Sequence, residues 1–195
     1  MKNIIELNID DKLYPKQLSV LDNPPQKLYA IGNLNLLNEE LFSVVGTRNI
    51  TKYGLKYGEK ICKELVLRDI PLVSGLAIGT DTLVHKTCLK YGGKTIAVLP
   101  CGFDNIYPSR NKKLFEEIIS ESGLALTEYE NNIKAEYNFF LARNRIVAAL
   151  GVGTLIVEAS HRSGTTVTAN FAIKANKIVC AIPRKPWKYM FYWYK

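Results

Sequence analysis

Arginine and aromatic side chains open a segment of the chain that is otherwise apolar. In FFLARNRIVAAL (139–150), Phe140, Arg143, Asn144 and Arg145 come before a run of Ile, Val, Ala and Leu. Because burial of an uncompensated charge is very costly, the two arginines require an anionic ligand or a carboxylate partner. The sequence suggests Glu158 as the internal carboxylate of such an Arg–Glu pair. Phe140 either stacks on a nucleic-acid base or belongs to the core.

Glycine, hydroxyl and arginine residues occur together in three further segments. Glycine lets a ligand approach the backbone closely, the free amides at a helix N-terminus attract anions, and arginine binds phosphate with two hydrogen bonds. The combination predicts a site for a phosphate-bearing ligand. The segments are Gly46-Thr47-Arg48, Ser74-Gly75 with Gly79, and Ser163-Gly164-Thr165.

Two other groups of residues allow more than one interpretation. Asp81 and His85 are four residues apart, which fits an acid–base pair or, more simply, a capping carboxylate and a hydrogen-bonded histidine. Thr51 is expected to cap one helix, and Thr80 or Asp81 the next. The turn-rich stretch PCGFDNIYPSRN (100–111) either contacts the ligand or shapes its loop.

Common cofactor and nucleophile motifs do not occur in the sequence. It has no GxGxxG, no GxxxxGK[ST] and no GxSxG, which argues against a dehydrogenase, a P-loop ATPase and an α/β-hydrolase. The four cysteines and two histidines lack the spacing of a metal site, so we predict no metal and no cofactor. The cysteines are expected to be reduced thiols in a cytoplasmic protein.

The elements that position these residues follow an α/β pattern. Short apolar runs alternate with stretches of helical periodicity, which predicts a mostly parallel sheet flanked by helices on both faces. In such a sheet the loops after the strands gather at one edge, where ligands bind. Strands are expected at 42–46, 70–75, 95–100, 124–129, 154–159 and 177–183, and helices near 51–68, 80–91, 109–122, 138–150 and 165–175.

The two ends of the chain differ from this pattern. Residues 1–41, with a Pro-Pro pair, are interpreted as an extended lead-in that contains one strand, KLYAIG, and packs on the core domain at 42–183. Residues 184–195 form an atypical tail rich in aromatic residues and cations, which either stacks on bases or is an abnormal terminus. This tail carries half of the net charge of +8, and a positive surplus favours polyanionic partners.

Taken together, the loops resemble the DprA/Smf family of bacterial DNA-processing proteins. The resemblance covers residues 13 to 183 and rests on five motifs in the family's order. These are VGTRNITKYG (45–54), SGLAIGTDTLVH (74–85), TIAVLPCGFDNIYPSRN (95–111), FFLARNRIVAAL (139–150) and TLIVEASHRSGTTVTANFA (154–172).

The resemblance implies an extended Rossmann-like fold and a protein that is not an enzyme. Such a protein binds single-stranded DNA, protects incoming strands, helps to load RecA recombinase during natural transformation, and forms a homodimer. The implied DNA-binding residues are Gly46, Thr47, Arg48, Ser74, Gly75, Gly79, Phe140, Arg143, Asn144, Arg145, Ser163, Gly164 and Thr165. Nothing among them reads base edges, so binding is expected to tolerate any sequence and to weaken with salt.

The sequence departs from the family after Pro183. Arg184 follows where the family has Pro-Gly and a further segment of the domain, so we expect weaker dimerisation and weaker recombinase loading.

Two alternatives stay open: a nucleoside 5′-monophosphate phosphoribohydrolase of the LOG type, and a domain that senses a small nucleotide. GVGTLIVE (151–158) resembles the LOG motif PGGxGTxxE, but Glu158 is displaced by one residue, which turns a strand side chain to the other face.

Overall fold

One mixed sheet of eight strands organises the computed structural model, which describes residues 3–161 and 163–183. The strands are β1 (Ile5–Asn8), β2 (Lys27–Gly32), β3 (Phe42–Val45), β4 (Leu72–Ser74), β5 (Thr95–Leu99), β6 (Leu124–Thr127), β7 (Gly153–Ile156) and β8 (Ile178–Ala181). The α-helices are α1 (Lys52–Val66), α2 (Thr80–Lys90), α3 (Lys112–Ser120), α4 (Tyr137–Leu150) and α5 (Gly164–Lys174). Short 3-10 helices span Lys16–Val20, Leu34–Asn38 and Ser109–Asn111.

The strand order creates a crevice between two particular strands. The order is β1-β2-β6-β5-β4-β3-β7-β8, and every neighbouring pair from β6 to β8 is parallel, whereas β1 and β2 are antiparallel additions. The chain winds from β3 outward to β6, crosses back through α4, and continues outward from β7. The direction of winding therefore reverses between β3 and β7. In open α/β sheets ligands bind outside the carboxyl ends of the strands at such a point.

Alternating side chains of the central strands bury the two faces of the sheet. On β5, Ile96 and Val98 belong to the core cluster that contains α4, and Ala97 and Leu99 belong to the cluster that contains α3. Residues of α1 and α2 pack with β3 and β4 in a third cluster. Helices therefore cover both faces, as the alternation of apolar runs predicts.

The predicted parallel strands and helices are all present, with ends that differ by a few residues. The amino-terminal region differs more, because it contributes two strands to the sheet where we expected one. β1 pairs antiparallel with β2, although 18 residues separate the two strands and no hairpin turn between them predicts the pairing. Among the described residues, no helix is long and apolar enough to cross a bilayer. Residues 184–195, which we interpreted as an atypical tail, lie outside the described residues.

Candidate nucleic-acid interface

A cavity of about 610 Å³ opens at the point where the winding of the sheet reverses. The loops after β3, β4 and β7 form its walls, together with the first turns of α4 and α5. Ten of the thirteen residues that the sequence predicts for the interface line this cavity. They are Gly46, Thr47, Arg48, Gly75, Phe140, Arg143, Asn144, Ser163, Gly164 and Thr165. The structure thus brings together residues that are up to 119 positions apart in the printed sequence.

Arg48 and two aromatic rings contact one another in series along one wall of the cavity. The Arg48 guanidinium lies 5.2 Å from the ring centroid of Phe140, and the Tyr107 ring meets Phe140 edge-on at 5.3 Å. Arg48 is exposed, and none of the ion pairs among the described residues includes it. Phe140 is half-buried and lines the cavity, so it is a wall residue and not part of the hydrophobic core. The guanidinium is therefore held over an aromatic surface with its hydrogen-bond donors available to an anion.

The loops after β3 and β4 are packed so closely that both require glycine. A Cβ on Gly46 would lie 2.4 Å from Thr80 Oγ1, and a Cβ on Gly79 would lie 2.5 Å from the carbonyl oxygens of Thr47 and Arg48. Gly79 also has a φ of +81°, which favours glycine. The Thr80 amide and hydroxyl both donate to the Thr47 carbonyl at 3.1 Å, so the two loops are locked to each other.

Asn111 has a structural role in the loop after β4. It is buried, and its Nδ2 donates to the Leu76 carbonyl at 2.8 Å and to Thr82 Oγ1 at 2.9 Å. Of the two interpretations of the turn-rich stretch, Asn111 therefore supports loop shaping. Tyr107, from the same stretch, lines the cavity.

Arg143 forms the floor of the cavity and is only 4% exposed. Its Nη1 donates to the carbonyl oxygens of Gly75 and Val98, and its Nε donates to Asn144 Oδ1 at 3.2 Å. A Cβ on Gly75 would lie 2.5 Å from Nη1, so this glycine allows the guanidinium to pack against the backbone. Burial lowers the pKa of Arg143 from its ordinary value, which a nearby carboxyl partly offsets. The cation is thus compensated by two carbonyl groups and by this carboxyl group.

Asp81 supplies that nearby carboxyl group. It lines the cavity, and its Oδ2 accepts a hydrogen bond from the Ala77 amide at 3.2 Å. Burial raises the pKa of Asp81, and the charge of Arg143 acts in the opposite direction. The expectation that Thr80 or Asp81 caps α2 is wrong, because the N-cap residue is Gly79 and both lie inside the first turn.

His85 is not an acid–base partner of Asp81. It is fully buried outside the cavity wall, and its Nδ1 lies 2.8 Å from Thr95 Oγ1. Thr95 donates its own hydroxyl proton to the Leu72 carbonyl, so Nδ1 must be the donor to Thr95. Burial lowers the pKa of His85 to about 3, with the charge of Arg143 adding to this effect. His85 is therefore a neutral structural residue.

Arg145 points away from the cavity, two residues after Arg143. Its guanidinium makes two hydrogen bonds of 2.6 Å to the Glu128 carboxylate, and its Nε donates to the Asn23 carbonyl at 3.1 Å. The expected Arg–Glu158 pair is thus wrong. Glu158 instead accepts hydrogen bonds from the Thr51 amide at 2.8 Å and from the Thr51 hydroxyl at 2.5 Å.

The other two predicted residues outside the cavity wall are Ser74 and Gly79. Ser74 is fully buried and donates its hydroxyl to the Val44 carbonyl at 2.7 Å, which ties β4 to β3. Gly79 packs behind the Arg48 loop, as described above. Both residues support the shape of the cavity from behind.

The N-terminus of α5 forms a further part of the cavity wall. Ser163 caps this helix by accepting a hydrogen bond from the Thr166 amide at its Oγ, and the Ser163 amide in turn donates to Thr166 Oγ1 at 3.1 Å. Asn144 Nδ2 donates to the Gly164 carbonyl at 3.3 Å and so joins α4 to α5. The partial positive charge of this helix end adds to that of Arg48 and Arg143 at the cavity.

Sequence reasoning missed Tyr137 and Leu141 at the mouth of the cavity. Tyr137 is 80% exposed and begins α4, one turn before Leu141. Their spacing of three to four residues with Phe140 and Asn144 is the available signal, because residues at this spacing share one helix face. Among residues 3–161 and 163–183, no group of three or more His, Cys, Asp or Glu side chains forms a candidate metal site.

Comparisons with known proteins show which family and fold the chain resembles. Residues 6–191 match the family model described as DNA recombination-mediator protein A. Protein Smf of Synechocystis is 41% identical over 95% of this chain and 47% of its own length, and DNA processing protein DprA of Streptococcus pneumoniae is 41% identical over 90% of this chain and 62% of its own. The chain thus spans about half to three fifths of the length of these two relatives.

Two solved structures share the fold closely. DprA from Streptococcus pneumoniae superposes with a TM-score of 0.88 at 38% identity, over 95% of this chain and 65% of the other. DprA from Helicobacter pylori, reported for its single-stranded DNA binding mode, superposes with a TM-score of 0.86 at 34% identity, over 96% and 86%. The cavity at the strand reversal therefore lies on the fold of DprA proteins. The family match and these superpositions show that the chain belongs to the DNA recombination-mediator protein A family, and that the DprA and Smf proteins are its relatives.

Proposed function

We propose that this chain binds single-stranded DNA in the cavity at the strand reversal. The observation that carries the proposal is Arg48, an exposed guanidinium stacked over Phe140 at the mouth and without a carboxylate partner among the described residues. The buried cation of Arg143 and the N-terminus of α5 add positive potential behind it. Single-stranded nucleic acids bind to this combination of basic groove and aromatic platform.

The cavity offers separate surfaces to the phosphate and to the base. Arg48 and the free amides at the start of α5 are suited to phosphate oxygens, because both donate hydrogen bonds in a region of positive potential. Phe140, Tyr107 and Tyr137 offer ring faces or edges to a base, and stacking does not depend on base identity. Binding is therefore expected to tolerate any sequence.

The placement of Glu158 supports binding over nucleotide hydrolysis. A LOG-type phosphoribohydrolase would use a glutamate in the cavity, but both carboxylate oxygens of Glu158 accept hydrogen bonds from Thr51. Asp81 is the carboxylate that lines the cavity within the described part of the chain, and it faces the buried charge of Arg143. A general base works best as an accessible carboxylate within reach of water, whereas Asp81 is only 8% exposed and Glu158 is held by Thr51, which favours binding over hydrolysis.

The wider role that we propose is protection of incoming single strands and assistance in loading RecA recombinase during transformation. It rests on the family's description as recombination mediators and on the DNA-processing relatives. We place this activity in the cytoplasm, with a homodimer as the working form. The residues named above for the cavity wall all come from one chain, so strand binding is the step that we assign to a single subunit.

Replacement of Arg48 tests the proposal. Arg48→Ala is expected to weaken binding of a mixed-sequence single strand about tenfold or more, because it removes the guanidinium that is positioned for phosphate. Arg68→Ala is the matched control, since Arg68 is exposed, pairs with Glu64, and follows the C-terminal end of α1 at the opposite edge of the sheet. Fluorescence anisotropy with a labelled oligonucleotide measures both. Equal affinities for the two variants and the wild type would reject the cavity as the binding site.

A further inference from the structure

The outer face of α1 carries a row of lysines outside the cavity. Lys52, Lys56 and Lys60 are exposed and recur every four residues, so they lie along one side of the helix. Four residues of α-helix rise about 6 Å, so the three charges extend along roughly 12 Å. The opposite side of α1, with Gly54, Gly58, Cys62 and Val66, is buried against the sheet and α2.

These lysines have no carboxylate partners among residues 3–161 and 163–183. The two acidic residues of α1 are engaged elsewhere, since Glu59 pairs with Lys90 of α2 and Glu64 pairs with Arg68. Like charges at a spacing of four residues destabilise a helix by about 0.2–0.5 kcal/mol per pair. The unpaired lysine row therefore lowers the stability of the helix, and it is suited to bind an external polyanion.

Aromatic rings accompany the lysines on α1. The Tyr53 and Tyr57 ring centroids are 4.5 Å apart, and Lys56 Nζ lies 5.6 Å from the centroid of Tyr57. Both tyrosines are half-buried, so part of each ring is accessible beside the lysine row. Alternating cations and aromatic rings are the composition of a surface that binds single strands.

The row begins at the edge of the cavity. Thr51 caps α1 and is tied to Glu158, which sets the start of the helix beside the loop that carries Arg48. Lys52 is four residues after Arg48 in the chain. A polyanion held by Arg48 therefore meets the positive end of α1 first and then its lysines in order.

The geometry points to the lysine row of α1 as the track along which single-stranded DNA continues after it leaves the cavity. This inference rests on the proposed function, because it takes the strand to be anchored by Arg48. A continuing strand fits better than an acidic protein surface, since the row is linear, is flanked by rings and starts at the proposed phosphate site. Successive phosphates then contact Lys52, Lys56 and Lys60.

The test compares thymidine oligonucleotides of about three and about twenty nucleotides. The shorter is close to what a cavity of about 610 Å³ holds, and the longer extends well beyond it. The triple variant Lys52→Gln, Lys56→Gln, Lys60→Gln removes the charges and keeps good helix formers. A charge-matched control replaces Lys12, Lys16 and Lys174, which are exposed and make no ion pair among the described residues. Affinity is measured across a series of salt concentrations by anisotropy.

The α1 variant is expected to bind the short oligonucleotide like the control variant and to bind the long one at least about tenfold more weakly. Its salt slope for the long oligonucleotide should fall by about 2, since each lost phosphate contact on a single strand removes about 0.7. Equal affinities and slopes for the two variants on the long oligonucleotide would overturn the track, and an acidic protein surface would then be the better ligand for the row. Arg48→Ala separates the two proposals, because it should weaken both lengths. If the wild type binds neither length, the proposed function fails and the track fails with it.

Discussion

Arg143 and Arg145 are two residues apart in α4, but they serve opposite sides of the molecule. The sequence correctly indicates that neither arginine can be buried without compensation. It does not identify the partners, because these come from distant elements: the carbonyl groups of Gly75 and Val98 for Arg143, and Glu128 at the end of β6 for Arg145. Helical geometry explains the difference, since residues two apart are rotated by about 200° around the helix axis and so point to nearly opposite sides.

Arg145 is therefore expected to contribute to stability and not to DNA binding. Its side chain is 13% exposed and that of Glu128 is 18% exposed, so Arg145→Met leaves a carboxylate unpaired in a partly buried position. The free energy of unfolding should fall by about 2 kcal/mol. Urea denaturation measures this change, and the double variant with Glu128→Gln should recover part of it.

DNA affinity provides the contrasting measurement for Arg145→Met. It should change by no more than about twofold, because Arg145 lies outside the cavity wall and its guanidinium contacts Glu128. A loss of affinity as large as that of Arg48→Ala, with stability unchanged, would instead place Arg145 in the interface.

At the scale of elements, the loops after β3 and β4 act as one unit. Their glycines are predicted from the sequence as points of close approach to a ligand. The structure shows another reason why two of these positions are glycine: Gly46 and Gly79 allow one loop to pack on the other. Pattern reasoning locates such glycines but cannot tell a ligand from a neighbouring loop, because both exclude a Cβ atom in the same way.

Gly79→Ala tests this interlocking, with Gly92→Ala as its control. Both glycines have positive φ, of +81° and +71°, but a Cβ on Gly92 meets nothing within 4 Å. Gly92→Ala should lower the free energy of unfolding by about 1 kcal/mol, the cost of a left-handed backbone. Gly79→Ala should cost more than twice as much, since the ψ of −121° at Gly79 lies outside the left-handed helical region and its Cβ would lie 2.5 Å from two carbonyl oxygens. It should also weaken single-strand binding, because the Arg48 loop must move, and unchanged affinity would show that the two loops are independent.

At the scale of the whole molecule, the order of the strands decides where the site lies. The alternation of strands and helices predicts a parallel sheet with loops at one edge, and this is confirmed. The sequence alone does not indicate that α4 carries the chain back across the sheet to place β7 beside β3, because that crossover depends on long-range packing. β1 is missed for a related reason: its four residues pair with a strand 18 residues later, so no local turn marks them.

The most direct test of single-strand binding at the cavity is a competition between a mixed-sequence single strand and the same sequence as a duplex, for the wild-type chain at several salt concentrations. The single strand should bind more tightly, because the bases of a duplex are paired and cannot reach Phe140, Tyr107 and Tyr137. Its affinity should fall steeply with salt, with a slope of about −0.7 for each phosphate contacted. Equal affinity for single strand and duplex, or no affinity for either, would contradict the account.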